Sequence, residues 1–139
     1  MLKGIYISSS EVYGIKNTLN RFLESDYGFV DVDDVRSSYP ISKRTAELLC
    51  HSYSSEYDID TVIVRPGHVY GPSASIHDNR VSSVFAYRAA QGLDLNLKSS
   101  GLQKRSYIYS VDCAFAILCV LYIPLRLPQL HGVFATPCR

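Results

Sequence analysis

The residues best suited by type and spacing to do chemistry are a tyrosine and a lysine four positions apart, in the segment Tyr39-Pro40-Ile41-Ser42-Lys43. On a helix this spacing puts both side chains on one face. An ammonium beside a phenol stabilises the phenolate, so such a pair makes a base that can take a proton from an alcohol. Bringing a tyrosine from its ordinary pKa of ~10 toward neutrality takes about 4 kcal/mol of differential stabilisation, at ~1.36 kcal/mol per unit, and a lysine charge in a partly desolvated cleft can supply it. The pair alone is weak, because an exposed tyrosine and a solvated lysine paired with Glu47 would give the same pattern. Two other polar stretches stand out, each directly after an apolar run: Ser8-Ser9-Ser10-Glu11-Val12-Tyr13-Gly14 and Pro66-Gly67-His68-Val69-Tyr70-Gly71-Pro72.

The elements that must position these residues follow from the flanking pattern. Leu2 to Ile7 is a short apolar run ending abruptly at three serines, which reads as a buried strand with polar groups at its carboxyl end. Thr61-Val62-Ile63-Val64-Arg65 is a β-branched run stopped by Pro66-Gly67, a second buried strand. Between them a helix should begin at Pro40, since proline suits the first helical position, and Ile41, Leu48, Leu49 and Tyr53 supply an apolar stripe through about Tyr57. Further helices are expected over about Arg80 to Gln91 and Asp112 to Ile123. Strand, helix, strand alternation predicts an α/β fold with a parallel sheet, whose ligands sit outside the carboxyl ends of the strands, where both polar stretches fall. Ile15 to Ser38 lacks periodicity and carries Asp31, Asp33 and Asp34, which predicts a long surface loop.

A length of 139 residues and a mass of 15.6 kDa fit one domain, and 47% hydrophobic against 19% charged residues is too apolar for a disordered chain. The net charge is +1, and the 14 Lys and Arg are spread along the chain, so no footprint for nucleic acid or anionic lipid is present; a small neutral-to-anionic ligand is favoured. Cys50, Cys113, Cys119 and Cys138 form no Cys-x-x-Cys pair and no zinc spacing, which predicts reduced cysteines and neither metal nor disulfide. The most apolar stretch, Cys113 to Ile123, is about half the ~20 residues that span a bilayer, and no basic region leads into an apolar signal, so a cytoplasmic protein without a membrane span is expected.

Taken in order, Ile7-Ser8-Ser9-Ser10-Glu11-Val12-Tyr13-Gly14, then YPISKRTAE from Tyr39, VRPGHVYGP from Val64 and QKRSYIYSVDCAFAIL from Gln103 resemble the extended short-chain dehydrogenase/reductases, specifically the NAD-dependent epimerase/dehydratase family that acts on nucleotide sugars. The resemblance covers about Lys3 to Leu121. It implies that Ser9 is the catalytic serine, Tyr39 the base, and Lys43 the residue that lowers the tyrosine pKa and holds the nicotinamide ribose of NAD. It further places Ser8 and the backbone around Pro66 against the cofactor. Arg105 matches an arginine near the sugar diphosphate, Arg80 a second basic residue of some decarboxylases, and His68 a substrate position often taken by asparagine.

The pair before Val12-Tyr13-Gly14 bears on the reaction the resemblance implies. Family dehydratases carry Asp-Glu there, the Glu removing the C5 proton and the Asp protonating the departing hydroxyl. Here the pair is Ser10-Glu11, which is similar to the UDP-glucuronate decarboxylases, whose C4 oxidation creates a β-keto acid that loses carbon dioxide without that acid. The alternatives are a 4-epimerase, a 4,6-dehydratase, or a non-catalytic remnant of such an enzyme. The glycines, at 4, 14, 28, 67, 71, 92, 101 and 132, form no Gly-x-x-Gly-x-x-Gly or Gly-x-Gly-x-x-Gly turn that could cradle the cofactor phosphates. The expected architecture is therefore the C-terminal part of a Rossmann-like doubly wound parallel sheet plus part of the substrate-binding lobe, with residues 1–139 a partial domain lacking the Gly-rich cofactor half. A homodimer through the helix of Tyr39 and Lys43 is a further expectation from the resemblance.

Overall fold

The computed structural model describes residues 3–16, 22–72, 75, 77–97, 99–102 and 105–122. Strand β1 (Lys3–Ile7) leads to helix α1 (Ser38–Tyr57), which returns to strand β2 (Asp60–Val64); β1 and β2 pair in parallel, with Ile5 opposite Val62 and Ile7 opposite Val64. Strand β3 (His68–Tyr70), helix α2 (Val81–Ala90) and strand β4 (Tyr107–Tyr109) repeat the plan, β3 and β4 pairing in parallel with His68 opposite Tyr107. Helix α3 (Ser110–Tyr122) follows β4 without a break. Two strand–helix–strand units are thus joined by the short link at Pro66 and Gly67.

The expected helices and both apolar strands are present, with ends shifted by no more than two residues. Strands β3 and β4 escaped the sequence reading because three residues show no periodicity. Among the described residues the strands form two separate two-stranded sheets. Gly67 is needed where they meet, since a Cβ there would lie 2.9 Å from the Ser106 carbonyl oxygen, and the His68 amide donates to that same oxygen at 3.0 Å.

Helix α1 corrects the expectation most sharply. Leu48, Leu49 and Tyr53 of its apolar stripe are more than half exposed. The face turned inward runs through Pro40, Lys43, Arg44, Glu47, Cys50, His51 and Ser54, at the three- and four-residue spacing of one helical face, with Pro40 and Glu47 buried and the others partly so. Charge faces inward because partners await it. Arg65, wholly buried just past β2, donates from Nε to Glu47 Oε1 at 2.9 Å and from Nη2 to Glu47 Oε2 at 2.7 Å. Glu47 is therefore the partner of Arg65, and the alternative that gave it to Lys43 does not hold. Burial alone would cost Arg65 its proton more easily, but the hydrogen bonds it donates to Glu47 outweigh this and hold the guanidinium charged.

The described residues of the expected loop, Ile15 to Ser38, are mostly exposed, but this stretch is no free connector. Arg65 also donates to the Glu24 carbonyl (2.8 Å) and the Tyr27 hydroxyl (2.7 Å), and Arg44 donates to the carbonyls of Val12 (2.7 Å) and Gly28 (2.8 Å). Ile15 and Phe29 form an antiparallel bridge, and Asp34 caps a 3₁₀ turn over Val35–Ser37 through the Arg36 amide. Gly14 permits this packing: its φ is +64°, and a Cβ would stand 2.5 Å from the Phe29 carbonyl oxygen.

Val12, Tyr13, Val62, Ile63, Val64 and Cys113 form the buried apolar core. Cys50, Cys113 and Cys119 are free thiols, and burial raises the pKa of the first two, for Cys50 with help from the Glu47 charge; Cys138 lies outside the described residues. Among the described residues there is no cluster suited to a metal ion, and no helix is long and apolar enough to cross a membrane.

Candidate active site

The carboxyl ends of β1 and β2 bring the two polar stretches together. The Ser8 amide donates to the Val64 carbonyl at 2.7 Å and the Ser10 amide to the Pro66 carbonyl at 2.9 Å, so the chain leaving β1 is laid along the chain leaving β2. It then tightens into a 3₁₀ turn over Ser10–Tyr13 with Ser9 at its cap, where Ser9 Oγ accepts from the Glu11 amide at 3.2 Å. That bond uses an acceptor lone pair and leaves the serine proton available to a ligand.

Helix α1 delivers Tyr39 and Lys43 to the same place. Lys43 Nζ donates to the Ile7 carbonyl at 2.8 Å, which pins the ammonium over the end of β1, 5.1 Å from the Tyr6 ring centroid and 5.9 Å from that of Tyr39. Tyr39 is 47% exposed, so its phenol opens toward solvent and any ligand there. Ser8 is buried, and among the described residues its Oγ has no hydrogen-bond partner. An orphaned buried hydroxyl is costly unless something completes it. Ser8, Lys43 and the backbone at Pro66 thus present polar groups that fit the ribose and nicotinamide end of NAD, whereas the described residues offer no glycine-rich cradle for its phosphates. Glu11, beside them, is exposed.

The other predicted site residues gather on the second unit. His68, Tyr70, Tyr107 and Tyr109 share one face of the β3–β4 pair, with ring centroids 5.5 to 6.3 Å apart between neighbours. Arg105 Nη1 lies 2.8 Å from His68 Nε2. Arg80, the residue that caps α2, is occupied differently: its guanidinium grips Asp78 at 2.6 Å and reaches the Val69 carbonyl at 3.2 Å. Sequence reasoning gave no role to Arg65 and Arg44 and offered Glu47 only as a partner of Lys43; the signal was there in the spacing, since 40, 43, 44 and 47 share one face of α1.

The NAD dependent epimerase/dehydratase family matches residues 2–129. The chain belongs to this family. As a family member it is 30% identical over 132 residues to UDP-glucuronic acid decarboxylase 1 of Xenopus tropicalis, covering 91% of this chain and 31% of that protein. It is 31% identical over 119 residues to the dTDP-D-glucose 4,6-dehydratase of Mus musculus, covering 86% of this chain and again 31% of the relative. Among solved structures it is similar to UDP-glucuronic acid 4-epimerase from Bacillus cereus in complex with UDP-glucuronic acid and NAD, with a TM-score of 0.72 and 26% identity over 97% of this chain and 40% of that one. The chain spans about a third of the length of the curated relatives it matches. The α/β architecture with parallel strands is that of the Rossmann-fold enzymes of the family.

Proposed function

We propose that this chain carries the proton-transfer part of a nucleotide-sugar enzyme that oxidises its substrate at C4 with NAD, most like a UDP-glucuronate decarboxylase. The carrying observation is Lys43 fixed on the Ile7 carbonyl beside Tyr39, Ser8 and Ser9 at the carboxyl ends of two parallel strands. In this reading Tyr39 takes the proton of the sugar 4-hydroxyl, Ser9 Oγ shares the hydrogen bond to that oxygen, and Lys43 favours the phenolate. NAD, held by Lys43, Ser8 and the Pro66 backbone, supplies the hydride acceptor. A C4 ketone makes the C6 carboxylate of a glucuronate a β-keto acid: the C5–C6 bond breaks, its electron pair enters the C4–C5 enolate, and carbon dioxide leaves before C5 is reprotonated. Ser10 is no acid for a departing 6-hydroxyl, which argues against dehydration.

A 4-epimerase is the second reading, favoured by the similarity to the Bacillus cereus enzyme and by a reaction that needs no acid for a departing hydroxyl. One experiment separates them. A fusion of this chain to the Gly-rich segment of a relative, given UDP-glucuronate and NAD, should release carbon dioxide, and Tyr39→Phe should lower hydride transfer at least ~100-fold with substrate binding little changed. An epimerised uronate without carbon dioxide would select the epimerase, and dehydration of a nucleotide-linked glucose would overturn the decarboxylase reading. The exposed Leu48, Leu49 and Tyr53 further support a homodimer through α1, to be checked by sedimentation of the chain and of its Leu48→Lys variant.

A further inference from the structure

The 3₁₀ turn over Ser10–Tyr13, with Ser9 at its cap, holds itself only loosely. The Val12 and Gly14 amides donate to the Ser9 and Glu11 carbonyls at 3.2 and 3.1 Å, and a single 3₁₀ turn has no longer helix to stiffen it. Its place is set by anchors on either side. On the side of β1, Lys43 Nζ donates to the Ile7 carbonyl at 2.8 Å. On the far side the next residue of α1, Arg44, donates from Nε to the Val12 carbonyl at 2.7 Å. Two adjacent side chains of one helix thus bracket residues 8–11, and the same helix carries Tyr39.

Arg44 is suited to the second anchor by its fork. While Nε holds Val12, Nη2 donates to the Gly28 carbonyl at 2.8 Å, and the guanidinium carbon lies 5.7 Å from the Tyr27 ring centroid. The Gly28 amide in turn donates to the Tyr13 carbonyl at 2.8 Å, so the two carbonyls that Arg44 joins belong to segments already tied to each other. A planar, permanently charged donor with both arms engaged keeps one orientation, which a lysine could not copy.

We infer that Arg44 is a positioning residue for Ser9: by fixing the far end of the turn to the helix of Tyr39, it sets the spacing of the two hydroxyls that meet the same sugar oxygen. This rests on the roles proposed above for Ser9 and Tyr39. The bonds of Arg44 go to main-chain carbonyls, so its effect on Ser9 passes through the backbone. Arg65 has a different task, since it donates to Glu47, the Glu24 carbonyl and the Tyr27 hydroxyl and meets the turn at the Tyr13 ring, past Ser9. A shared hydrogen bond asks for about 2.6–3.2 Å between heavy atoms, and a displacement of about 1 Å costs about a hundredfold in rate.

The test joins amide hydrogen exchange of the 139-residue chain, read by NMR, to kinetics of its fusion with the Gly-rich segment of a relative. In the wild type the Val12 and Gly14 amides should exchange at least about tenfold more slowly than the Asp26 amide, whose bond to the Leu23 carbonyl closes an exposed turn. Equal rates would overturn the inference even where the Arg44 variants fold poorly. In Arg44→Met the protection of Val12 and Gly14 should fall at least about tenfold while the β2 amides keep theirs, and Arg44→Lys, able to hold one carbonyl, should lie between. In the fusion, Arg44→Met should lower kcat for hydride transfer about 100-fold with KM for UDP-glucuronate little changed, and Arg44→Lys should lower it less. Cys113→Ala, which opens a cavity under α3, should lower stability and leave kcat as it is. A loss of kcat shared by Cys113→Ala, or exchange that quickens evenly through the chain in Arg44→Met, would make Arg44 merely structural and overturn the inference. Full kcat in Arg44→Met would overturn it and leave the roles of Ser9 and Tyr39 standing. A wild-type fusion without hydride transfer would overturn those roles and the inference together.

Discussion

The two strand–helix–strand units follow one plan and are held in opposite ways. In the first, five-residue strands pair under a helix whose inner face is charged, and a wholly buried arginine gathers Glu47, the Glu24 carbonyl and Tyr27 at one point. In the second, three-residue strands carry an open aromatic face, and the charged contacts, Arg80 with Asp78 and Arg105 with His68, lie at the surface. Residues proposed to move a proton sit on the first unit and those proposed to grip the substrate on the second. The difference teaches that the helix of Tyr39 and Lys43 is set by a few desolvated polar groups, which are costly to disturb, while the second unit rests on contacts that water can replace.

The largest effect should come from splitting the buried pair. Glu47→Ala leaves Arg65 charged and unpaired, and should cost about 3–5 kcal/mol, whereas the double change Glu47→Leu with Arg65→Met should recover much of it; urea denaturation of the three proteins measures both. A double variant no better than Glu47→Ala would mean that the links from Arg65 to Glu24 and Tyr27 matter more than the ion pair. Next comes Gly14→Ala, which meets both a left-handed φ and the Phe29 carbonyl and should lose about 1–3 kcal/mol by the same assay. On the second unit the effects should be smaller. Arg80, then Ser83 and the Arg80 amide, hydrogen-bond Asp78 and hold its carboxyl well below the usual carboxylate range. A depressed carboxylate contributes stability that is full above its unfolded pKa of about 3.9 and fades as pH falls below it. The melting-temperature gap between the wild type and Asp78→Asn should therefore be constant near neutrality and narrow below about pH 4. Least of all, Phe115→Ser on the outer face of α3, 67% exposed, should change stability by no more than about 0.5 kcal/mol.

What could be read from the sequence was whatever repeats. β1, β2 and the three helices announce themselves through apolar runs, a helix-starting proline and length, and the four motifs single out Ser9, Tyr39, Lys43 and Pro66. The structure then laid Ser8 and Ser10 along Val64 and Pro66 by backbone hydrogen bonds, which no pattern of side chains encodes. β3 and β4 were too short to show alternation. Arg65 looked like the polar end of a strand, because pairing across 18 residues with Glu47 leaves no trace in local hydropathy. The same blindness turned α1 around: hydropathy ranks leucine above glutamate, and only the partner just past β2 reverses that order.

That reversal changes what tolerance to mutation should look like along α1. A survey of all substitutions in the helix, scored by the amount of folded monomer, should find Leu48, Leu49 and Tyr53 permissive to polar replacements and Arg44 and Glu47 nearly immutable. Conservative exchange would offer no shelter at the second set, since lysine for Arg44 gives up the fork that reaches Val12 and Gly28 together, and aspartate for Glu47 falls a methylene short of Arg65. For the folded monomer, the positions that look like a core are the dispensable ones, and those that look like a surface are not.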